Sequence, residues 1–287
     1  MKMRISKKVI ILGPAGTGKT TLKKIFFDMV SPLELLEKSL EPTKGVDTNM
    51  YSFFNLDFAM FDLAGQENDN WFDKEKDIFN NSNVIMCVLD INSYLKEILN
   101  FLKALITLYN EIKINDSEII VLLHKIDLID GLYLQHKTKA INEFLKKQNK
   151  KNFKITTHTT SIARQFFFKT YKIIANIILN ISDQKTLLKS AFQNYKNDLE
   201  IILRYDIEKK YDIRALFLDL NLSKNDAIFH LKRLEKLGFA KLEENQISFR
   251  LTQRVRFFNS GFELNKKEHD INKILEMFLI FSNLTQK

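Results

Sequence analysis

The chain has 287 residues, of which 45% are hydrophobic and 28% charged, so it is long enough for two folded modules that each bury a core. Its formal net charge is +9, but acidic and basic residues are interspersed, and the bias only weakly favours acidic partners such as nucleotides, nucleic acid or an anionic membrane. The only cysteine, Cys87, lies in an apolar run, which excludes a disulfide framework or a cysteine metal cluster within one chain.

The composition also predicts the compartment. No apolar run approaches the roughly 20 residues that cross a bilayer, and neither end shows a secretory or lipidation signal. We therefore expect a cytoplasmic location in a reducing environment, with membrane recruitment only through partner proteins.

Apolar strand-like runs alternate with helical patterns in the first part of the chain. The runs cover residues 8–12, 58–61, 84–89 and 119–123. This alternation predicts an α/β fold with a mostly parallel sheet, covered by helices on both faces, and a ligand site at the carboxyl ends of the strands. After residue 182 the pattern becomes mainly helical, so we expect a first domain over residues 1–182 and a second over 183–262.

The first strand leads into a glycine-rich turn and then a helical pattern. In this setting the spacing of the turn predicts a phosphate-binding loop, in which Lys19 contacts the β- and γ-phosphates and Thr20 binds Mg²⁺. The predicted nucleotide contacts are Gly13, Ala15, Gly16, Thr17, Gly18, Lys19, Thr20 and Thr21. The loop alone does not distinguish a GTPase from a kinase or an ATPase, and a glycine turn that binds nothing is the alternative.

Two later segments add residues to this predicted site. Thr43 lies in a polar stretch before the next strand, where GTPases carry the threonine that senses the γ-phosphate through Mg²⁺. After the strand 58–61, Asp62 would hold Mg²⁺ through water, Gly65 would donate its N–H to the γ-phosphate and Gln66 would orient the attacking water. We therefore expect Lys19, Thr43 and Gln66 to act in catalysis, and Thr20, Thr43 and Asp62 to hold the metal.

The strand 119–123 leads into His124-Lys125-Ile126-Asp127, which predicts a base-binding site. The Asp127 carboxylate can accept hydrogen bonds from the guanine N1–H and exocyclic amine, which adenine cannot supply, and the Lys125 stem can cover the ring. Thr160-Ser161-Ile162 matches the last base-binding segment, where the Ile162 N–H is a candidate donor to guanine O6 and Ser161 is a further candidate contact.

These motifs together resemble the Rag/Gtr branch of the Ras-like small GTPases. The resemblance rests on His-Lys-x-Asp followed by Thr-Ser-Ile, on Asp-x-x-Gly-Gln and on the stretch 76–84, and it covers about residues 5–181. It implies a switch that binds GTP or GDP with Mg²⁺, hydrolyses GTP slowly, and signals through activating, exchange and effector proteins as a monomer, homodimer or heterodimer. Arf-like and bacterial or archaeal Ras-like GTPases are the nearest alternatives.

Two residues differ from the usual pattern of Ras-like GTPases. Ala15 stands where many Ras-type enzymes have glycine, which changes the space for an arginine finger from a partner. His124 stands where most GTPases have asparagine, so base selectivity rests mainly on Asp127.

The second part of the chain reads as helix, short strand, helix, helix and hairpin, an order that resembles a winged-helix module. Ser223 and Asp226 form a capping box at the start of its third helix, and Gly238 ends that helix. The last segment, 263–287, predicts an amphipathic helix that packs on the module or on a second subunit. Its apolar stripe contains Ile271, Ile274, Leu275, Phe278 and Leu279.

Two functions are open for this module. The basic residues that would contact DNA phosphates and base edges are Lys224, His230, Arg233 and Arg250, which would make the chain a nucleotide-gated transcription regulator. Asp226 and the acidic pair Glu243-Glu244 would repel phosphate and favour a protein-interaction module instead. A third hypothesis for the chain is a module that holds GTP structurally and never hydrolyses it.

Overall fold

The computed structural model describes residues 7–37, 40–53, 56–112, 117–148, 154–182, 195, 197–243, 247–256, 278, 280 and 284–286. These residues form a seven-stranded sheet and a separate three-stranded sheet, with helices around both. We call the described residues 7–182 the first module and the described residues 195–256 the second module. The predicted domain boundary at residues 182 and 183 falls where the described residues end, and it stays a prediction.

The large sheet has the strand order β10-β2-β3-β1-β4-β5-β6. Its strands are β1 Lys7–Leu12, β2 Val46–Phe53, β3 Leu56–Leu63, β4 Val84–Asp90, β5 Glu118–His124, β6 Lys154–Thr159 and β10 Leu284–Gln286. Neighbours from β3 to β6 are parallel, whereas β2 is antiparallel to both β3 and β10. The predicted α/β fold with a mostly parallel sheet is confirmed.

Six helices accompany the strands of the first module within the described residues. They are α1 Lys19–Phe26, α2 Pro32–Glu37, α3 Asn68–Asp73, α4 Leu95–Ile112, α5 Gly131–Gln148 and α6 Arg164–Ser182. Short 3-10 turns cover Gly65–Glu67, Lys76–Phe79 and Ile126–Leu128.

Helices cover both faces of the sheet, and the central strands are therefore apolar at successive positions. Along β1, Val9 and Ile11 belong to one buried cluster, whereas Ile10 and Leu12 belong to another on the opposite face. Residues 84–89 of β4 are all buried. The sheet thus lies between two apolar cores, and the carboxyl ends of its parallel strands lie at one edge.

The second module consists of three helices and a three-stranded sheet in the order β7-β9-β8. Its elements are a helix at 197–204 (α7), β7 Lys210–Asp212, α8 Arg214–Leu220, α9 Lys224–Lys236, β8 Ala240–Glu243 and β9 Ser248–Leu251. At the start of α9 the Ser223 hydroxyl accepts a hydrogen bond from the Asp226 N–H, as the capping box predicts. At its end Gly238 adopts a φ of 78°, a left-handed conformation that favours glycine.

A buried charge network joins α7 to α9. Asp198 has no exposed side-chain surface, and its carboxylate lies 2.8 Å from His230 Nδ1 and 2.5 Å from Arg233 Nε. The Arg233 guanidinium also stacks over the rings of Tyr195 and Phe229.

This network bears on the predicted DNA contacts. His230 and Arg233 point into the module and hold Asp198, and His230 is buried, so neither is presented to a nucleic acid. Arg250 lies 3.4 Å from Glu243 on the neighbouring strand, and only Lys224 remains an exposed basic residue of the predicted set. The proposed DNA contacts of His230 and Arg233 are therefore wrong, because a buried carboxylate occupies both.

The last described residues return to the large sheet. Leu284, Thr285 and Gln286 pair in antiparallel register with Phe53, Ser52 and Tyr51 of β2. A strand thus stands where the amphipathic pattern predicted the end of a helix, since β2 offers unpaired backbone groups at the sheet edge. Phe278 is buried and its ring lies against Phe239 of the second module, whereas Ile271, Ile274, Leu275 and Leu279 lie outside the described residues.

Within the described parts of the chain, no helix combines the length and the apolar character that crossing a membrane requires.

The buried network predicts a selective loss of stability in Asp198→Asn. The substitution removes the carboxylate from beside a guanidinium that is only 16% exposed, and we expect the free energy of unfolding to fall by about 3 kcal/mol. Urea unfolding followed by circular dichroism measures this change. Asp212→Asn is the matched control, because the Asp212–Arg214 pair is exposed and its loss should have a far smaller effect. Equal effects of the two substitutions would contradict the assignment of Asp198 as a structural centre.

Candidate functional site

The glycine-rich turn between β1 and α1 lies at the carboxyl edge of the sheet. Gly18 adopts a φ of 97°, and a Cβ at this position would lie 2.7 Å from Cδ2 of His124. Only glycine therefore lets the turn pass this close to the end of β5. The turn and the segment after β5 form one continuous wall, as the sequence predicts for a phosphate-binding loop beside a base-binding loop.

Lys19 is nearly buried beneath the turn. Its Nζ donates to the carbonyl oxygens of Gly13 and Pro14, both at 2.9 Å. Burial lowers the pKa of Lys19, and the charge of Asp62 opposes this shift. The ammonium group thus lies at the base of the turn in a setting where a further negative charge would stabilise it.

Three side chains that carry oxygen atoms, from distant parts of the sequence, meet beside Lys19. The Thr20 hydroxyl donates to Asp62 Oδ2 at 2.8 Å and is hydrogen-bonded to the Thr43 hydroxyl, also at 2.8 Å. Asp62 has no exposed surface, burial raises its pKa, and its Oδ1 has no hydrogen-bond partner among the described residues. A buried carboxylate oxygen without a partner and two hydroxyls are the kind of ligand set that Mg²⁺ prefers, so the residues fit the predicted metal.

The segment after β3 closes over the turn. A Cβ on Gly65 would lie 2.5 Å from the backbone N of Ala15 and 2.5 Å from Lys19 Nζ, so this glycine permits a contact that other residues would block. Gln66 follows and is exposed at the mouth of the cleft. Lys19, Gly65 and Gln66 therefore line the same cleft.

Two residues of this segment were not predicted from the sequence. The Asn68 amide donates to the carbonyl oxygens of Gly65 at 2.6 Å and Gly13 at 3.2 Å, which links the segment to the turn. Glu67 Oε1 accepts from the N–H of Gly45, two residues after Thr43, at 2.9 Å. Both side chains hold backbone groups of neighbouring segments, and such pairing leaves no periodic signal in a sequence.

His124 connects the base side of the site to the turn. The ring is buried, its Nδ1 lies 3.0 Å from Thr160 Oγ1, and its edge packs against Gly18. Burial, helped by the positive charge of Lys125, lowers the pKa of His124 to about 4. The imidazole is therefore neutral at pH 7 and acts as a polar spacer between the turn and the end of β6.

Lys125 and Asp127 follow His124 at the end of β5. Lys125 Nζ donates to the Gly16 carbonyl oxygen at 2.6 Å and to Asp90 Oδ2 at 2.7 Å, which fixes its stem across the edge of the site. Asp127 is exposed, and the Ser161 hydroxyl donates to its Oδ1. Asp90 was not predicted, although it ends β4 just as Asp62 nearly ends β3.

A cleft of about 570 Å³ collects most of the predicted site residues. Those that line it are Ala15, Gly16, Gly18, Lys19, Thr20, Thr21, Thr43, Gly65, Gln66 and Lys125. Gly13 and Thr17 lie buried in the turn behind this wall, and Asp62 lies beneath Thr20. Asp127, Ser161 and Ile162 are not among the described residues that line the cleft, and Ser161 is hydrogen-bonded to Asp127 where β5 and β6 end.

Comparison with known proteins relates the chain to one protein family. The family described as Gtr1/RagA G protein conserved region matches residues 8–213, which extends beyond the predicted resemblance as far as the end of β7. The chain is similar to the GTP-binding protein GTR1 of Saccharomyces cerevisiae, with 31% identity over 209 residues, covering 69% of this chain and 65% of that protein. It is also similar to the human Ras-related GTP-binding protein C, with 26% identity over 217 residues, covering 71% of this chain and 51% of that protein.

A third relative is the GTP-binding protein gtr2 of Schizosaccharomyces pombe, with 26% identity over 200 residues, which are 66% of this chain and 60% of that protein. The chain thus spans between about half and just under two thirds of the length of these relatives.

The neutral state of His124 predicts a pH dependence of stability. Its pKa falls from 6.5 to about 4 on folding, so between these pH values the unfolded chain binds a proton that the folded chain does not. The free energy of unfolding should therefore decrease as the pH falls through this window, with His124 contributing about 3 kcal/mol of the loss. Denaturation of His124→Asn over the same range should show a shallower dependence. His136→Asn, which changes an exposed histidine on α5, should keep the dependence of the original chain, and identical pH profiles for all three proteins would contradict the prediction.

Proposed function

Because this chain belongs to the Gtr1/RagA family of G proteins, we propose that it binds GTP and GDP with Mg²⁺, hydrolyses GTP slowly and signals through partner proteins that distinguish the two states. The observation that carries this proposal is the meeting of Thr20, Thr43 and Asp62 beside Lys19. These residues come from three separate segments, and a metal-bound nucleotide triphosphate is the ligand that uses all of them.

The phosphate side of the cleft supports binding of an anion with a metal. Lys19 and the backbone N–H groups of the turn supply positive charge at the start of α1. Thr20 and Thr43 would hold Mg²⁺ directly and Asp62 would hold it through water. When bound, Mg²⁺ neutralises charge on the phosphate oxygens. The buried Oδ1 of Asp62, which has no hydrogen-bond partner within the described part of the chain, favours this arrangement.

Gln66 supports hydrolysis as the reaction. Its exposed side chain follows Gly65, and Gly65 packs against the turn and Lys19. From this place a carboxamide can accept a hydrogen bond from water and donate one to a phosphate oxygen, which orients the water for attack on the γ-phosphate. Asn68 and Glu67 keep the segment in place, so they are positioning residues for Gln66.

The base side supports selection of guanine. The exposed carboxylate of Asp127 is oriented by a hydrogen bond from the Ser161 hydroxyl to Oδ1, and Lys125 is held by Asp90. The N–H of Ile162 is the candidate donor to guanine O6. Because His124 is neutral and already engaged with Thr160, it leaves the recognition of the base to Asp127.

We assign the second module to protein recognition. Its element order and its sheet order β7-β9-β8 support a winged-helix module, and the buried Asp198 network holds two of the four basic residues that were predicted to contact DNA. Phe229 of α9 is 59% exposed, which suits a protein surface better than a phosphate backbone. A cytoplasmic location, recruitment to membranes through partners, and assembly with a second subunit complete the proposal.

Guanine selection is tested by comparing GTP and ATP. Equilibrium titration with fluorescent analogues should show tight binding of guanine nucleotide and no saturable binding of adenine nucleotide. Asp127→Ala should weaken the binding of GTP by at least about 100-fold, because two hydrogen bonds to a charged acceptor are lost. Glu143→Ala, which removes an exposed carboxylate from α5, is the control and should bind as the original chain does. Equal affinity for the two nucleotides would refute the assignment of the base site.

Hydrolysis is tested separately in single-turnover phosphate release. Gln66→Leu should slow the release by at least about ten-fold with little change in GTP affinity, because its contact with water forms mainly in the transition state. Thr20→Ala should instead weaken Mg²⁺-dependent nucleotide binding. Tight GTP binding with no phosphate release by the original chain would leave nucleotide binding intact and exclude the proposed enzymatic activity.

A further inference from the structure

A second cleft lies where the first and second modules meet. It has a volume of about 480 Å³ and is formed by the segment between α1 and α2 on one side and by the turn after β9 on the other. Its described lining is Phe27, Asp28, Met29, Val30, Ser31, Glu34, Gln253 and Arg254. This cleft shares no residue with the nucleotide cleft, and nothing in the proposed GTPase reaction uses it.

Arg254 contributes a guanidinium that has no acidic partner among the described residues. Its Nε and Nη2 lie 3.1 and 3.0 Å from Sδ of Met29, and the group stacks over the Phe239 ring. A thioether is a weak acceptor, and a ring supplies no counter-charge that matches a carboxylate. Among the residues that the structure describes, no carboxylate lies within ion-pair distance of Arg254, and burial lowers its pKa.

Ser31 contributes a second donor without an acceptor. The residue is 5% exposed, and its hydroxyl has no hydrogen-bond partner within the described chain. A buried hydroxyl of this kind costs free energy unless another group binds it. Arg254 and Ser31 are therefore two polar groups that line one cleft from different segments of the chain.

The acidic residues of the cleft already have partners. Asp28 Oδ1 accepts from the Tyr51 hydroxyl at 2.6 Å, and Glu34 lies 3.6 Å from Arg256 Nη1. Each carboxylate thus has one oxygen paired, whereas among the described residues the Ser31 hydroxyl has no partner and Arg254 has no carboxylate beside it. An oxyanion is the chemical group that satisfies a guanidinium and a hydroxyl together.

We propose that this cleft binds the oxyanion group of a small molecule, a phosphate or a carboxylate, through Arg254 and Ser31. The volume lies within the range of small-molecule sites in proteins. A ligand there would join Ser31, which leads into α2 and on to Thr43, to Arg254 of the second module. The site is independent of the proposed GTPase activity.

The test uses the full chain loaded with GDP and Mg²⁺ and follows the Arg254 side-chain Nε–H and the Ser31 amide by NMR. Inorganic phosphate and acetate are titrated separately at constant ionic strength, with chloride as the reference. We expect saturable changes in the chemical shifts of both groups, with a Kd of about 1 mM for at least one anion. An affinity of this order is what a ligand with so few atoms can reach. The anion that saturates identifies phosphate or carboxylate as the preferred group, and saturation by both supports a general oxyanion site.

Variants establish whether the binding belongs to this cleft. Ser31→Ala should weaken anion binding about ten-fold, measured from the NMR signal of Arg254. Arg254→Gln should abolish anion binding, measured from the NMR signal of Ser31. Arg256→Gln is the matched control, because this arginine is nearby, exposed and paired with Glu34, and it should change the affinity by less than about two-fold. The proposal is overturned if neither anion gives a saturable shift, if Ser31→Ala has no effect, or if Arg256→Gln weakens binding as much as Arg254→Gln. Since Ser31→Ala is a minimal change, it remains informative even if Arg254→Gln does not fold.

Discussion

The hydroxyl of Thr20 is the contact on which the rest of this structure depends. It joins the start of α1 to Asp62 at the end of β3 and to Thr43 in the loop before β2. Each of these residues is delivered by a different strand or loop, and the parallel arrangement of β1 and β3 brings them to one edge. The two apolar cores on either face of the sheet fix the positions of the strands, and this keeps the strand ends within hydrogen-bond distance of each other. A charge buried as deeply as that of Asp62 is stable only where donors and cations surround it.

Much of the first module could be predicted from the sequence because its signals are local. Buried parallel strands appear as continuous apolar runs, and the glycine turn after β1 has a spacing that few other structures require. Strands β2 and β6 were harder to predict, since one carries exposed polar residues such as Asp47 and Thr48 and the other is rich in threonine. The roles of Glu67, Asn68 and Asp90 depend on pairing between segments far apart in the chain, which no spacing rule detects.

The second module shows the same limit in a different form. Its helices and hairpin follow the predicted order, because capping at Ser223 and the glycine at 238 are local features. The error concerned the direction of side chains: His230 and Arg233 lie on α9 at a spacing that suits a groove, but Asp198 of α7 attracts both inward. A basic residue on an amphipathic helix is therefore a weak indicator of nucleic-acid binding until the acidic residues of neighbouring helices are known.

The pairing of β10 with β2 has a consequence for the order in which the protein is made. Tyr51 and Gln286 are partners in one sheet, although about four fifths of the chain separates them. During synthesis β2 leaves the ribosome long before β10. The backbone groups on the outer edge of β2 therefore have no strand partner while α3 to α9 are being synthesised. Contacts between such distant residues form slowly, because closing a long loop costs entropy. The last pairing to form in the large sheet is therefore that of β10 with β2, the strand that follows the loop containing Thr43.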